Sequence, residues 1–323
     1  MAPPPEAISS PAEPRLPALS NPLLRYFLAT RPAFLSVTAV GVILGLACAS
    51  LAGAAIAPLT AMATLIFACV AHAGVNVLND YYDALSGTDD ANTERLFPFT
   101  GGSRFIQNGV LTRRATALFG YALLAAVVPA GLWLAWQAGP ALILIGLAGL
   151  LVGWAYSAPP FKLASRGLGE LAVASGWWLV VVGSALVQTG AITAAALWAG
   201  AAYALLVANL LYINQFPDAV ADGLAGKRTV VVRLGRTRAA MGYLILALAS
   251  HLILVAGVLA GALPLAALAG LLALAPALKA FSRLRRHAEH PAQLRPAIGA
   301  TIATAHIHGL AVAIALFLSK ALA

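Results

Sequence analysis

Nine apolar runs, separated by short polar stretches, are the feature that most limits how this chain can fold. Of its 323 residues, 61% are hydrophobic and 10% are charged, whereas a soluble domain has about 25% charged residues. Several runs approach the 20 residues that a helix needs to cross about 30 Å of hydrocarbon. The sequence therefore predicts an all-α, polytopic membrane protein with about nine transmembrane helices. The predicted spans are 33–56, 59–80, 115–136, 140–156, 168–188, 193–213, 240–260, 263–278 and 297–319, of which the fourth and eighth are short.

The basic residues divide unequally between the two sides of this arrangement. All but one of the 20 Lys and Arg precede span one or lie in loops that follow even-numbered spans, and only Lys320 lies on the other side. Cytoplasmic loops carry the excess of Lys and Arg, so we expect the N-terminus and these loops to be cytoplasmic. The net charge of +9 then reflects topology, and we expect the lipid bilayer rather than nucleic acid as the partner.

The chain start and the cysteines add little chemistry. Residues 1–22 are rich in Pro, Ala and Ser and have no apolar core, which favours a disordered cytoplasmic tail over a signal peptide. Residues 23–323 then form the transmembrane domain. Cys48 and Cys69 both fall within apolar spans, a placement that indicates neither a disulfide framework nor a metal site.

Two acidic clusters end the second and sixth apolar runs, close to hydrocarbon, where an ionisable group is costly unless it has a partner or a function. In each cluster an Asn and two Asp recur every three or four residues, so the three side chains share one helix face. The clusters are Asn76, Asp80 and Asp83, and Asn214, Asp218 and Asp222.

The donor atoms of these clusters favour a hard cation. They offer carboxylate and amide oxygens and no Cys, which argues against zinc. Mg²⁺ typically keeps several waters and uses one or two carboxylates plus substrate phosphate oxygens. Two facing clusters therefore fit a pair of Mg²⁺ ions that hold a diphosphate. The alternative is that they are interfacial acids paired with nearby arginines. Asp89, Asp90 and Glu94 are expected to be solvated loop charges, although Asp89 or Asp90 could join the site.

Four basic residues are candidates for direct contact with phosphate. Arg104 follows Gly101 and Gly102, whose exposed N–H groups could help to cradle an anion. Lys162 ends a Tyr-Ser-Ala-Pro-Pro-Phe-Lys segment, and Lys227 and Arg228 follow a glycine. Each of them could instead be a marker of the cytoplasmic side.

The histidines are weaker candidates. His72 lies one turn before Asn76 on the same face, so it either lines a cavity or packs between helices. His306 and His308 are two residues apart on a helix and point in different directions, which excludes a compact ligand pair between them. His251 is predicted to be structural.

Several motifs in this order resemble the UbiA superfamily of intramembrane aromatic prenyltransferases over roughly residues 25–320. Within it the chain is most similar to the menaquinone-pathway branch, the 1,4-dihydroxy-2-naphthoate polyprenyltransferases. One departure is Pro217, where that branch tends to carry an arginine. The motifs are Arg31-Pro32, Asn-x-x-Asn-Asp-Tyr-Tyr-Asp at 76–83, Tyr-Ser-x-Pro-Pro at 156–160, Gly-Leu-Gly-Glu at 167–170, and Asp-x-x-x-Asp with Gly-Lys-Arg-Thr and Val-Arg-Leu-Gly at 218–235.

The resemblance implies a helical bundle around a central cavity and Mg²⁺-dependent transfer of a polyprenyl group from polyprenyl diphosphate to an aromatic acceptor. The acceptor it implies is 1,4-dihydroxy-2-naphthoate, in menaquinone biosynthesis. Neutralising the leaving group favours ionisation of the allylic C–O bond. The implied metal ligands are Asn76, Asp80, Asp83, Asp218 and Asp222, of which the four Asp are the catalytic residues. The implied substrate contacts are Arg104, Tyr156, Lys162, Lys227, Arg228 and Asn214.

Other functions stay open at this point. Tyr156, Tyr81 and Tyr82 could face the allylic cation with their rings or be interfacial anchors. Acceptors such as 4-hydroxybenzoate, haem or a lipid precursor would use the same diphosphate site. An ion-coupled transporter is disfavoured because the acids lie at one membrane face and the other half of the bundle lacks charge. We expect a multi-pass protein of the inner (cytoplasmic) membrane whose active site faces the cytoplasm.

Overall fold

A bundle of nine apolar helices makes up most of the computed structural model, which describes residues 13–322. Eight of the helices are long and apolar enough to cross a membrane, and the fourth has 17 residues. The predicted all-α, multi-pass architecture of about nine spans is therefore confirmed. Spans one to nine are Pro32–Leu51, Pro58–Ser86, Arg113–Ala138, Ala141–Ser157, Gly169–Thr189, Ala194–Leu224, Arg236–Leu259, Leu265–His287 and Arg295–Ala321.

Spans two and six are the longest helices, and both extend beyond their predicted ends. Span two continues to Ser86 and stops at Gly87, which adopts the left-handed conformation (φ +77°) that ends many helices. Span six continues to Leu224 and includes Pro217. Both acidic clusters therefore lie within helices, so the helical spacing predicted for them is confirmed.

Span eight differs from its predicted form. Its first part, Leu265–Ala273, is a 3₁₀-helix, and the α-helix follows over Leu274–His287. The two parts together span 23 residues, so the run that was too short in the sequence becomes long enough to cross the bilayer.

Span six lies at the centre of the bundle. Its Tyr203 is fully buried and donates a hydrogen bond of 2.6 Å to the Val37 carbonyl oxygen in span one. Close helix approach elsewhere depends on a missing side chain: a Cβ added at Gly45 would lie 2.5 Å from the Val181 carbonyl oxygen. Small residues at such crossings are typical of packing in membranes, where dispersion contacts replace the hydrophobic effect.

Four loops gather at one end of the bundle and form what we call the polar cap: 87–112, 158–168, 225–235 and 288–294. Contacts between distant parts of the chain hold the cap together. The Arg228 N–H donates to the Ser165 carbonyl oxygen (2.8 Å), and Arg295 at the start of span nine donates to the Phe97 carbonyl oxygen (3.0 Å). The loops that follow even-numbered spans thus lie on one side, as the span count requires.

The segment before span one packs against the cap. Residues Leu16–Ala18 form a 3₁₀ turn, and a helix over Pro22–Ala29 follows it, capped by the Asn21 side chain. Glu13 accepts a hydrogen bond of 2.8 Å from Arg95 Nε in the first cap loop. The tail predicted over residues 1–22 stays a prediction for residues 1–12, which lie outside the described part of the chain.

Candidate active site

A cavity of about 180 Å³ lies under the polar cap, between spans one, two, four, five and six. We call it the chamber. Both acidic clusters face it, although they are about 135 residues apart in the sequence. The cluster residues on its wall are Asn76 and Asp83 of span two, and Asn214, Asp218 and Asp222 of span six, and Asn79 lies beside them.

Lys227, in the loop after span six, joins the two clusters. Its Nζ lies 3.1 Å from both carboxylate oxygens of Asp83 and 3.4 Å from Asp222 Oδ1. Burial disfavours the charged amine, but the two carboxylates outweigh this effect and hold the pKa of Lys227 well above its ordinary value. A permanent cation therefore lies between the acids of span two and span six.

Asp80 is held behind a second cation. Arg31, the residue before span one, adopts a left-handed backbone conformation (φ +56°) and forms an ion pair with Asp80. The Ser103 N–H also donates to Asp80 Oδ1, at 3.2 Å. Arg31 lines the chamber, whereas Asp80 is buried and reaches it only through Arg31. Its place in the structure is thus that of a counter-ion for Arg31.

The first cap loop brings a further carboxylate to the chamber. Asp89 lies on the short helix Thr88–Ala91, is 4% exposed, and its Oδ2 has no hydrogen-bond partner among the described residues. Burial, together with the charges of Asp83 and Asp80, raises the pKa of Asp89 well above its ordinary value. Asp90 next to it is exposed. The structure separates these neighbours, and Asp89 is not the solvated charge that was expected.

The same loop closes the chamber over span six. Asn92 Nδ2 donates to Asp218 Oδ1 at 2.6 Å, and the Gly101 N–H donates to Asp218 Oδ2 at 3.4 Å. Gly101 and Gly102 both have positive φ, and a Cβ added at Gly102 would collide with the Asp89 carboxylate. The two glycines therefore let the backbone approach the acids closely. The contact of their N–H groups with a bound anion stays a prediction.

The charges at the chamber do not balance. Five carboxylates lie at its wall or directly behind it, but within residues 13–322 only Arg31 and Lys227 form ion pairs with them. Uncompensated charge in a low-dielectric site is unfavourable, so the arrangement favours binding of additional cations. The carboxylates are Asp80, Asp83, Asp89, Asp218 and Asp222.

The donor set fits Mg²⁺ with an incomplete protein shell. Every charged donor is a carboxylate, and Oδ2 of one of them, Asp89, is buried without a hydrogen-bond partner among the described residues. In the part of the chain that the structure describes, no three acidic, His or Cys side chains converge on one point. Mg²⁺ usually keeps waters and takes phosphate oxygens beside one or two carboxylates, so the fit depends on a phosphate-bearing substrate.

Three of the four predicted basic contacts do not face the chamber. Arg104 is buried beneath the first cap loop, where it donates to the Asp89 carbonyl oxygen. Lys162 is exposed and lines a small side pocket that shares Asp83 with the chamber. The Arg228 side chain is exposed, with only its backbone bound to the neighbouring loop. Lys227 alone of the four lies on the chamber wall.

Tyr156 and His72 face the chamber, whereas Tyr82 does not. Tyr156 of span four lies on the chamber wall. Tyr82 lies outside the chamber, and its hydroxyl forms a hydrogen bond of 2.6 Å with the Tyr121 hydroxyl. His72 both lines the chamber and packs: its Nδ1 lies 2.8 Å from Thr38 Oγ1, and its ring meets Trp177 edge-on with centroids 4.8 Å apart. The two alternatives predicted for His72, lining a cavity and packing between helices, are therefore compatible.

His251 has a histidine partner that the sequence did not indicate. Its ring meets that of His308 edge-on, with centroids 5.5 Å apart, between spans seven and nine. Both rings are buried outside the chamber. The two residues are far apart in the chain, so no local spacing predicts the pair.

An apolar groove adjoins the chamber. It has a volume of about 260 Å³ and runs between spans two, three, four and five. Val75 lines both cavities, and Gly176, which faces the groove, precedes Trp177, which faces the chamber. Four groove glycines have open space where a Cβ would be, namely Gly131, Gly146, Gly149 and Gly176.

Comparison with known proteins identifies the class of protein to which this chain belongs. Residues 38–302 match the UbiA prenyltransferase family. The helical bundle is thus that of an intramembrane prenyltransferase. The chain belongs to the UbiA prenyltransferase family, as its motifs indicated.

Two relatives represent the branch that the motifs favoured. The chain is 34% identical over 220 residues to the 1,4-dihydroxy-2-naphthoate octaprenyltransferase of Mycobacterium tuberculosis, with 66% of this chain and 70% of the relative covered. It is 29% identical over 272 residues to the enzyme of the same name from Escherichia coli, with 81% and 85% covered. The resemblance to this branch is therefore confirmed.

A solved structure has the same fold at lower identity. It is a UbiA homologue from Archaeoglobus fulgidus bound to DMAPP and Mg²⁺, with a TM-score of 0.57 and 16% identity. The match covers 90% of this chain and 99% of the homologue, so the fold extends over nearly the whole bundle.

Proposed function

We propose that this protein transfers a polyprenyl group from polyprenyl diphosphate to 1,4-dihydroxy-2-naphthoate, with Mg²⁺ in the chamber. The observation that carries the proposal is the meeting of two acidic clusters at one chamber where carboxylates exceed cations. The names of the two relatives support the acceptor. The ligands named for the Archaeoglobus fulgidus homologue support the diphosphate and the metal.

The residues that would hold Mg²⁺ are the carboxylates that face the chamber. Asp83 would contribute from span two, Asp218 and Asp222 from span six, and Asp89 from the cap. Asn76 adds a neutral oxygen that does not repel a phosphate. When bound, Mg²⁺ would neutralise negative charge on the diphosphate leaving group.

The two cations of the chamber would bind the diphosphate directly. Arg31 and Lys227 both line the wall, and each pairs with a different acid of span two. A guanidinium binds phosphate through two parallel N–H bonds, and an ammonium binds it as a point charge. Asp80 would act through Arg31, because its carboxylate holds the guanidinium in place. Arg104, Lys162 and Arg228 would serve the cap loops and the charge asymmetry instead.

The chamber wall would also stabilise the prenyl group as the diphosphate leaves. Breaking the bond between the allylic carbon and the diphosphate oxygen leaves positive charge on the prenyl group. The ring of Tyr156 lies on the wall and can face this charge. The closed cap over the chamber would exclude water, which would otherwise compete with the aromatic ring for the cation.

The isoprenoid tail would lie in the apolar groove. Val75 lies at the junction of chamber and groove, so a chain that starts at the diphosphate can pass from one to the other. The groove leads between spans two to five towards the lipid. The part of a long tail that does not fit in the groove would lie in the lipid. We place the polar cap on the cytoplasmic side of the inner membrane, because all but one of the 20 Lys and Arg lie in the cap, before span one or on the helix ends that adjoin the cap.

Transfer of a labelled prenyl group by the purified protein in lipid nanodiscs tests this function. We expect product with 1,4-dihydroxy-2-naphthoate, less with 4-hydroxybenzoate, and none after removal of divalent ions with EDTA. Asp218→Asn should reduce the rate at least a hundredfold, and Glu289→Gln, an exposed acid outside the chamber, should not. Normal transfer by Asp218→Asn or in EDTA contradicts the metal site, and preference for another acceptor contradicts the acceptor.

A further inference from the structure

Three uncharged side chains of spans five and six each carry a polar atom in the chamber wall that lacks a hydrogen-bond partner among the described residues. The atoms are Trp177 Nε1, Asn214 Oδ1 and Gln215 Oε1, and all three are buried. Their side chains line the chamber. A buried polar atom without a partner is destabilising, and native proteins rarely keep several of them without a function. Their position in a substrate chamber indicates groups that a ligand satisfies.

Neighbouring residues hold two of these groups in place before any ligand arrives. Gln215 is 6% exposed, and its Nε2 donates to Glu170 Oε1, so its amide oxygen is the free end. The Trp177 ring meets His72 edge-on, and His72 in turn lies within hydrogen-bond distance of Thr38. Groups that are already oriented lose little entropy when they bind a ligand.

The positions of these groups separate one donor from two acceptors. Glu170, which holds Gln215, precedes Trp177 by seven residues on span five, which is about 10 Å along a helix. The wall beside them is apolar, with Val173, Val207 and Leu210. The chamber therefore has carbonyl acceptors near the cap, an indole N–H deeper in the bundle, and apolar side chains along the same wall.

We propose that this wall, formed by Trp177, Asn214 and Gln215, binds the aromatic acceptor; this inference rests on the proposed function. The Trp177 N–H donates to an oxygen substituent of the acceptor, and the Asn214 and Gln215 carbonyl oxygens accept hydrogen bonds from its hydroxyls. The apolar side chains pack against the ring. The site thus takes an aromatic compound with two hydroxyls, because a ring with one hydroxyl leaves a buried carbonyl unpaired.

Neighbouring tryptophans provide a matched test. Trp177→Phe removes the free indole N–H and keeps an aromatic ring. We expect the KM for 1,4-dihydroxy-2-naphthoate to rise roughly tenfold, as the loss of one hydrogen bond predicts, and the KM for the prenyl diphosphate to stay unchanged. Trp178→Phe is the control, because Trp178 Nε1 already donates to the Leu197 carbonyl oxygen at 3.1 Å. It should leave both KM values unchanged.

Gln215→Met tests the acceptor end of the wall by discrimination between ligands. The wild-type protein should prefer 1,4-dihydroxy-2-naphthoate to 1-hydroxy-2-naphthoate by roughly tenfold or more, because the second compound leaves a carbonyl unpaired. The preference should shrink severalfold in Gln215→Met. General damage to the fold would weaken the binding of both naphthoates equally and leave the ratio of their affinities unchanged. A change in this ratio therefore reports the contact with Gln215 itself.

Equilibrium dialysis of both naphthoates against the detergent-solubilised protein measures the same ratios without turnover. The inference is overturned if Trp177→Phe changes acceptor affinity less than twofold, if Trp178→Phe changes it as much, or if Gln215→Met keeps the full discrimination. Loss of prenyl transfer with every acceptor in the wild-type protein would contradict the proposed function instead. In that case the dialysis still decides whether this wall binds a dihydroxylated aromatic compound.

Discussion

The ammonium group of Lys227 lies 3.1 Å from both carboxylate oxygens of Asp83, which links the loop after span six to the end of span two. The same group is 3.4 Å from Asp222 Oδ1. One side chain therefore neutralises acids from both halves of the chamber. In the proposed complex with metal and diphosphate, these carboxylates would have other cations nearby, and the amine would be free to contact phosphate.

The thermal stability of Lys227→Met, with and without Mg²⁺, tests whether Lys227 neutralises these acids until a metal ion binds. The substitution leaves Asp83 and Asp222 without their cation, and breaking a buried ion pair costs about 3–5 kcal/mol. We expect a lower thermal unfolding midpoint without Mg²⁺, and a larger increase on adding Mg²⁺ than in the wild-type protein. Lys279→Met, at an exposed site on span eight, is the control. Equal Mg²⁺ stabilisation of the wild-type protein and Lys227→Met would contradict the idea that Mg²⁺ takes over the neutralising role of Lys227.

Asp89 and Asp90 offer a comparison between a buried and an exposed carboxylate on one short helix. Asp89→Asn removes a buried charge, and the pKa of Asp89 is already raised because that charge is unfavourable. We expect the metal-free variant to unfold at a higher temperature than the wild-type protein, and its prenyl transfer rate to fall about 10–100-fold, as for loss of a group that supports a metal. Asp90→Asn should change neither quantity. Full activity in Asp89→Asn would exclude Asp89 from the site.

Alanine substitutions at Gly102 and Gly109 distinguish the effect of backbone strain from the effect of a collision with Asp89 in the site. Both have positive φ, but a Cβ added at Gly102 meets Asp89, whereas one added at Gly109 meets nothing within 4 Å. Both alanine variants should lose about 1 kcal/mol of stability from strain. Only Gly102→Ala should also raise the Mg²⁺ concentration needed for half-maximal transfer. The same rise in Gly109→Ala would show that the effect comes from the loop conformation.

The glycines of the apolar groove should set the length of prenyl chain that the protein accepts. Gly146→Leu adds a side chain where the groove has open space. We expect transfer from a C10 diphosphate to persist and transfer from a C40 diphosphate to fall at least tenfold. Gly299→Leu, on an exposed face of span nine with no atom near the added Cβ, controls for the change of helix composition. A uniform loss with both diphosphates would place the tail elsewhere.

The acidic clusters show how far local patterns lead. Their spacing of three and four residues predicts a shared helix face, and the two faces meet at the chamber as expected. The same reasoning treats Asp80 and Asp83 alike. The structure distinguishes them because Arg31, which is 49 residues away from Asp80 in the chain, pairs with one and Lys227 pairs with the other.

The basic residues show where local patterns end. Arg104, Lys162, Lys227 and Arg228 all follow glycines or turns on the charged side of the bundle, and sequence alone does not rank them. Only Lys227 reaches the chamber wall. The direction of each side chain depends on how its loop crosses the others, as the bond between the Arg228 N–H and the Ser165 carbonyl oxygen illustrates.

The amino-acid sequence by itself determined the helical architecture, the number of spans, the side on which the polar loops lie and the helix faces that carry the acids. These properties follow from hydrophobic length, charge distribution and helical period, which act over a few turns of chain. The tertiary structure alone decided that Asp89 joins the chamber, that Asp80 lies behind Arg31 and that Trp177 and Gln215 present unpaired atoms to it. These outcomes depend on contacts such as those of Arg31 with Asp80, 49 positions apart, and of Gln215 with Glu170, 45 positions apart, and such contacts form only when segments distant in sequence pack together.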